Sequence, residues 1–293
     1  MSSSPIIEAF FDNETNTVSY LVYDKSDGHG LIIDPILNFF VDAGRTGTKS
    51  ADLIISRCNA LSLTIDYILE THAHADHITA APYLSAALGG KLAIGEHITD
   101  TQAIFKKLYN LDDSFKADGS QFDKLLRDGD RLQVGELCVT VIHTPGHTPA
   151  CVSYHIGDAI FVGDTLFMPD YGSARCDFPG GSAATLYQSI QKVLSLSDDT
   201  RVFTCHDYGP GGRDFAWQSS VEQQKATNIH VGGGVKEADF VQLREERDSS
   251  LKPPKLLLPS IQINIRAGTL PEPEDNGTSY LKIPLNILDS FHN

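Results

Sequence analysis

The order of apolar segments along the sequence predicts a mixed α/β chain, with two sheets packed as a sandwich and helices on its outer faces. Three observations carry this reading. The 293 residues are 41% hydrophobic and 21% charged, enough to bury a sizeable core in one large domain or two modest ones. Short β-rich runs fall into a first and a second cluster, each mixed with segments of helical period. Histidines and aspartates follow directly on apolar strands, where a rigid scaffold hands side chains to a cleft. Two sheets flanked by helices fit this order better than one parallel sheet, which periodicity alone leaves open.

The elements follow in order. Residues 18–23 are β-rich, residues 24–30 are a turn cluster, and Leu31, Ile32 and Ile33 form a short strand ending at Asp34 and Pro35. A helix is predicted over 50–62, with Leu53, Ile54, Cys58 and Leu61 on one face. Residues 65–70 read as a buried strand that stops at Thr71. Residues 80–88 are helical in composition and ended by Gly89 and Gly90, 92–94 are a strand, 99–109 a helix, and 110–122 a polar loop. The segment 130–167 is the most β-rich, with strands at 137–142, 152–155 and 159–162. Ser182 is the N-cap of a helix carrying Leu186, Ile190, Val193 and Leu194, and 202–205 is one more buried strand. Residues 1–231 are read as one domain. Residues 232–293 are a C-terminal helix and tail packing on it: three glycines break the chain at 232–234, a charged helix spans 238–247, and after Pro253 and Pro254 the rest wraps the domain to Asn293.

With 23 Lys+Arg against 38 Asp+Glu, the net charge of −15 argues against nucleic acid or an anionic membrane as a partner. A small anionic substrate stays open, because a metal ion or an arginine reverses the field inside a cleft. No uncharged apolar run approaches the roughly 18 residues a membrane span needs. The first eight residues carry no basic or Arg-rich stretch, so no signal or transit peptide is expected and the location expected is the cytoplasm. Cys58, Cys138, Cys151, Cys176 and Cys205 are odd in number, without a C-x-x-C pair, and read as reduced thiols.

The chemistry concentrates in E-T-H-A-H-A-D-H, residues 70–77, where three histidines and an aspartate lie within six residues after a strand. Imidazole and carboxylate together are transition-metal ligands. If strand geometry persists, His72, His74 and Asp76 aim the same way and His77 points elsewhere, towards a second ion. His147 lies in T-P-G-H-T, Asp164 in G-D-T and His206 in C-H-D-Y, each at or near a strand end. Singly, a turn histidine is a hydrogen-bonding residue and an aspartate after a strand is a cap. The combination is the signal.

Across residues 15–230 the chain resembles the metallo-β-lactamase-fold superfamily, and within it the persulfide dioxygenases, its bacterial-type branch above all. Residues 17–35, T-H-A-H-A-D-H-I-T-A-A, T-P-G-H-T-P-A-C-V-S-Y and G-D-T-L-F-M-P-D-Y-G-S-A-R-C-D-F-P-G-G carry that resemblance. It implies an αββα sandwich with a C-terminal extension and a metal cleft at one edge. It also implies one Fe(II) per chain on His72, His147 and Asp164, a two-histidine, one-carboxylate set that leaves positions open for sulfur and dioxygen. His74, Asp76, His77 and His206 then orient ligands and water, or hold a second metal. Asp34, after the strand 31–33, reads either as a support for the site from below or as a simple turn aspartate.

On the substrate side the resemblance implies Arg175 and Asp177 near the iron and Tyr208 near bound glutathione. The mitochondrial-type branch holds a glutathione carboxylate with an arginine two residues after an asparagine. Here that position reads Asn228-Ile-His, leaving Lys225 or Arg213 to substitute. Cys151 and Cys176, close in sequence to site residues, are read as structural thiols. The activity implied is oxidation of glutathione persulfide by O2 to sulfite and glutathione, with a homodimer left open. The alternative is a dinuclear hydrolase with two Zn(II) acting on a thioester, as in glyoxalase II. A metal-free binding protein is the third reading, and the presence of all seven ligand-type residues speaks against it.

Overall fold

The computed structural model describes residues 4–287. β1 (Ile6–Asp12), β2 (Thr17–Tyr23) and β3 (His29–Ile33) run as an antiparallel meander. β4 (Ile36–Phe40) and β5 (Arg45–Gly47) then leave it as a small hairpin. The chain returns through α1 (Lys49–Leu61), so that β6 (Thr64–Leu69) pairs parallel to β3. After β7 (Ile78–Thr79), α2 (Ala81–Leu88) leads to β8 (Lys91–Gly95) and α3 (Ile98–Leu108) to β9 (Lys124–Leu126), both parallel additions. The strand order is β1-β2-β3-β6-β8-β9, with β7 joining the hairpin as β5-β4-β7.

The second sheet begins as a meander of β10 (Arg131–Val134), β11 (Leu137–His143), β12 (Val152–Ile156) and β13 (Ala159–Phe161). One crossover through α4 (Ala183–Leu194) brings β14 (Arg201–Phe203) parallel to β13, and β15 (Gln218–Ser220) closes the edge. α5 (Val221–Thr227), α6 (Glu237–Asp248) and α7 (Leu257–Asn264) follow.

The period-2 alternation of strand side chains builds the layers. On β2, Val18, Tyr20 and Val22 point between the sheets, where they meet Val139, Tyr154 and Phe161, while Leu21 and Tyr23 point out to α1. On β13, Ala159 and Phe161 point inward and Ile160 outward to Leu186 and Ile190 of α4. The result is the four-layer αββα sandwich, with α1, α2, α3 and α7 on one face and α4 and α6 on the other.

Two expectations change. Leu53 is 57% exposed and does not join the buried face of α1, because Ala51, Ile54 and Cys58, spaced i, i+3, i+7, lie on the sheet and turn Leu53 outward. The segment after Pro254 is not only a wrapping tail: Leu257–Asn264 is a buried helix. Its Pro259 sits in the first turn, where a missing N–H is tolerated, so proline does not mark a break there. The end of the tail, 288–293, lies outside the described residues. Among the described residues no helix is long and apolar enough to cross a membrane.

Candidate metal centre

Strand ends from both sheets meet at one edge of the sandwich. β3 delivers Asp34, β6 the loop 70–77, β11 the turn with His147, β13 Asp164 and β14 His206. The His147 turn is pinned by close packing. Gly146 has φ +135°, and a Cβ there would lie 2.3 Å from the Leu186 nitrogen in the first turn of α4. The Ser182 N–H, at the N-cap of the same helix, donates to the Gly146 carbonyl at 2.8 Å.

Each histidine is oriented by the bond its far nitrogen makes. His147 Nδ1 donates to the Arg175 carbonyl at 2.7 Å, which leaves Nε2 facing Asp164 Oδ2 at 3.5 Å. His72 Nδ1 donates to Thr71 Oγ1 at 3.1 Å, while that hydroxyl donates to Asp34 Oδ2 at 2.8 Å. His72 Nε2 then faces Asp164 Oδ2 at 3.9 Å. His206 Nδ1 donates to the Asn16 carbonyl at 3.2 Å, and its Nε2 lies 3.3 Å from Asp164 Oδ1 and 3.0 Å from Asp76 Oδ2. His74 differs: its Nε2 donates to Asp34 Oδ1 at 3.0 Å and lies 3.4 Å from Glu70 Oε2.

Two of the groups whose ligand atoms lie within 4.8 Å of one another are His72, His147 and Asp164, and His74, Asp76, His77 and His206; Asp164 and His206 also share a group with Cys205, which links the two. This corrects the expected alternation. Strand geometry ends at Leu69: His74, Asp76 and His77 share one group, while His72, its ring 4.0 Å from that of His74 between centroids, joins His147 and Asp164. Among the described residues, His72 Nε2, His74 Nδ1, both His77 nitrogens, Asp164 Oδ1 and His206 Nε2 are buried without a hydrogen-bond partner. Such a knot of orphaned polar atoms is costly unless a cation fills it, and the outer hydrogen bonds are those that metal-ligating imidazoles make. The residues fit a metal ion.

Electrostatics prepare the same centre. Burial, reinforced by neighbouring imidazoles, pushes His72 well below the ordinary histidine range and lowers His77, keeping ligand lone pairs free. Burial also opposes charge on His74, but Asp34 and Glu70 outweigh it and hold His74 well above that range. Burial raises Glu70 to about 7 although His74 works against it. Burial works against ionised Asp76 as well, yet His206 and His77 hold it low. Asp34, which also accepts from the Thr71 N–H at 2.7 Å, ties the ligand loop to the end of β3.

His147, Asp164 and Asp76 open onto a cavity of about 1090 Å³. Phe167, Tyr171 and Tyr208 form one wall, with Tyr171 and Tyr208 stacked at 4.6 Å between centroids. Leu53, turned out from the buried face of α1, and Phe40 also line it. Arg175 reaches the cavity but is engaged by Asp177 and by the Lys252 carbonyl at 2.7 Å. Neither expected carboxylate substitute is available, which corrects that expectation. Lys225 pairs with Asp198 at 2.6 Å, and Arg213 is forked between Asp170 and Asp207; neither lines the cavity. His230 is buried, its Nδ1 accepting from the Ser173 N–H at 2.9 Å.

The five cysteines are free. Burial pushes the Cys151 thiol up to about 12 and raises Cys176 and Cys205 as well, so none of these three is a poised nucleophile. The sequence reading missed Glu70 as a partner of His74, although it begins the quoted motif. It also missed Asn264, whose amide donates to the carbonyls of His74 and His77 and which no local pattern marks.

A family model described as the metallo-beta-lactamase superfamily matches residues 12–206. A probable metallo-hydrolase of Burkholderia pseudomallei is 52% identical over 96% of this chain and 99% of its own length. The human mitochondrial persulfide dioxygenase ETHE1 is 30% identical over 91% of both chains. The crystal structure of ETHE1 from Myxococcus xanthus superposes with a TM-score of 0.72, at 29% identity, over 90% of this chain and 100% of that one. Identities of 29% and 30% do not separate a bacterial-type from a mitochondrial-type branch. The chain spans 66% of the length of a 52% identical beta-lactamase hydrolase-like protein of Agrobacterium fabrum. From its sandwich, its cluster of histidines and aspartates and these matches together, the chain belongs to the metallo-beta-lactamase superfamily, in its persulfide-dioxygenase-like part.

Proposed function

We propose that the protein is a persulfide dioxygenase holding one Fe(II) on His72, His147 and Asp164. The supporting observation is that His72, His147 and Asp164 bring their ligand atoms within 4.8 Å of one another as a two-histidine, one-carboxylate set. One persulfide, one O2 and one water give one thiol and one sulfurous acid: the sulfur–sulfur bond breaks, and the outer sulfur loses the four electrons that O2 gains. Iron bound at the trio supplies the redox chemistry and the open coordination positions. The chain's own groups do the rest. The Arg175 carbonyl fixes the His147 ring, and Thr71 fixes that of His72. Phe167, Tyr171 and Tyr208 pack on the carrier and exclude bulk water. Asp76, held ionised, accepts a hydrogen bond from the water consumed and orients it. Glutathione is the proposed carrier.

The test is oxygen uptake by the iron-loaded protein on addition of glutathione persulfide, with sulfite measured beside it. Uptake and sulfite in equal amounts, both absent in His147→Ala, are expected. No uptake with iron confirmed bound overturns the reading. A second reading, a dinuclear zinc thioester hydrolase, is favoured by the complete group His74, Asp76, His77 and His206 and by the metallo-hydrolase name of the Burkholderia relative. Thioester hydrolysis requiring two zinc equivalents would establish it.

A further inference from the structure

Among the cations that line the cavity, Arg175 is engaged by Asp177 and the Lys252 carbonyl, and buried Arg244 by Asp248 and the Ser173 carbonyl. Lys49, Arg247 and Lys255 also line it, all exposed, and among the described residues none of the three side chains makes a hydrogen bond or ion pair; Lys49 opens α1, apart from the other two in the chain. Arg247 is in the last turn of α6 and Lys255 follows eight residues later, on one stretch of wall. That stretch is tied to the metal centre. The Asp248 carboxylate accepts from the Cys176 N–H at 2.8 Å, and the Lys252 carbonyl accepts from Arg175, whose own carbonyl orients His147. Arg247 and Lys255 together on this one stretch, in a protein of net charge −15, are a local reversal of the field. Glu14 and Asp42, also on the cavity wall and with unpaired carboxylates among the described residues, offer the opposite charge.

We propose that Arg247 and Lys255 anchor the substrate's carboxylates. With glutathione as the carrier, its two carboxylates then meet these two cations and its ammonium faces Glu14 and Asp42. This inference rests on the persulfide reading and deepens it. It assigns carrier specificity to the C-terminal extension, since the positions expected to hold a carboxylate are spent or buried. A thiol persulfide without charge engages the metal end and the aromatic wall only.

The test compares the iron-loaded wild type with the double variant Arg247→Gln, Lys255→Gln on glutathione persulfide and on the uncharged persulfide of 2-mercaptoethanol. For glutathione persulfide, KM should rise about tenfold or more, with kcat within about twofold, as for loss of charge-assisted bonds that hold ground and transition states alike. Constants for the uncharged persulfide should hold, which also reports that the variant is folded. An unchanged KM for glutathione persulfide overturns the proposal, and so does an equal decline on both substrates. Calorimetric titration with glutathione itself separates the two readings. If the wild type takes up no oxygen with either persulfide, the dioxygenase reading fails, yet weaker glutathione binding in the double variant still upholds the anchor. Equal or absent binding in both proteins removes it.

Discussion

The Asn264 side-chain amide donates to the His77 carbonyl at 2.8 Å and, with its second hydrogen, to the His74 carbonyl at the same distance. Its oxygen accepts from the Thr79 N–H at 3.0 Å. The loop 70–77 has left the sheet ladder, so its carbonyls need partners from elsewhere. α7 provides them from beyond the residues that the superfamily model matches. The C-terminal extension therefore forms part of the wall of the metal centre.

Removing that amide should cost both stability and metal affinity. Asn264→Ala leaves two carbonyls and one N–H unsatisfied in a buried place, a loss of about 2–4 kcal/mol by the usual cost of orphaned polar groups. Because the same bonds position His74 and His77, affinity for metal should fall about tenfold or more. Competition with a chromophoric chelator measures the affinity and urea unfolding the stability. A lower stability with unchanged affinity would reduce Asn264 to a packing role.

The division of the donors into two groups predicts an unequal response to their removal. His72→Ala, His147→Ala and Asp164→Ala should each abolish binding of the first iron equivalent, whereas His77→Ala should leave much of it. Metal analysis after dialysis against limiting iron makes the comparison. If His77 proves as necessary as His72, the one-iron assignment is wrong and both groups act as one dinuclear site.

Much of this architecture was legible in the sequence, because burial on both faces of a sheet leaves a strong mark. Runs such as Leu31-Ile-Ile33 and the end of β6 read as strands, and the residues that follow them read as site residues. The ligand-type residues were legible as a set, but not their division, because backbone direction after Leu69 is decided by Asp34 and Asn264, which lie 37 or more positions from Thr71 and His77. α7 was hidden by its prolines. The charge partner of Lys225 and the second partner of Arg213 were equally invisible, being 27 and 43 residues away in Asp198 and Asp170, although Asp207 lies only six residues from Arg213.

Thiol reactivity should follow burial. Burial raises Cys58 to about 11 and Cys151 to about 12, and raises Cys176 and Cys205 as well, while Cys138 is the half-buried one on β11. An alkylating reagent at neutral pH should modify Cys138 first and leave the other four until the protein unfolds. Mass spectrometry of digests checks the order. Rapid modification of Cys151 or Cys176 in the native protein would point to a thiol role at the cavity that the geometry does not give them.

His230 makes the fold sensitive to mild acid. Burial, with Arg244 and Arg247 adding repulsion, lowers it to about 4, and its Nδ1 must stay unprotonated to accept from the Ser173 N–H. The unfolded chain takes up the proton near the ordinary value of about 6.5. Below that pH the unfolded state therefore binds more protons than the folded one, so stability falls from pH 6.5 towards pH 4 and the loss is complete once the folded ring titrates too. At about 1.4 kcal/mol per unit the contribution is about 2–3 kcal/mol, after some allowance for solvent. Because carboxylates titrate in the same window, the measurement is a difference. Urea unfolding at pH 7 and pH 4.5 should show His230→Gln losing about 2 kcal/mol less than the wild type between the two conditions. Parallel losses would mean that the ring accepts its proton in place, with the Ser173 bond given up at little cost.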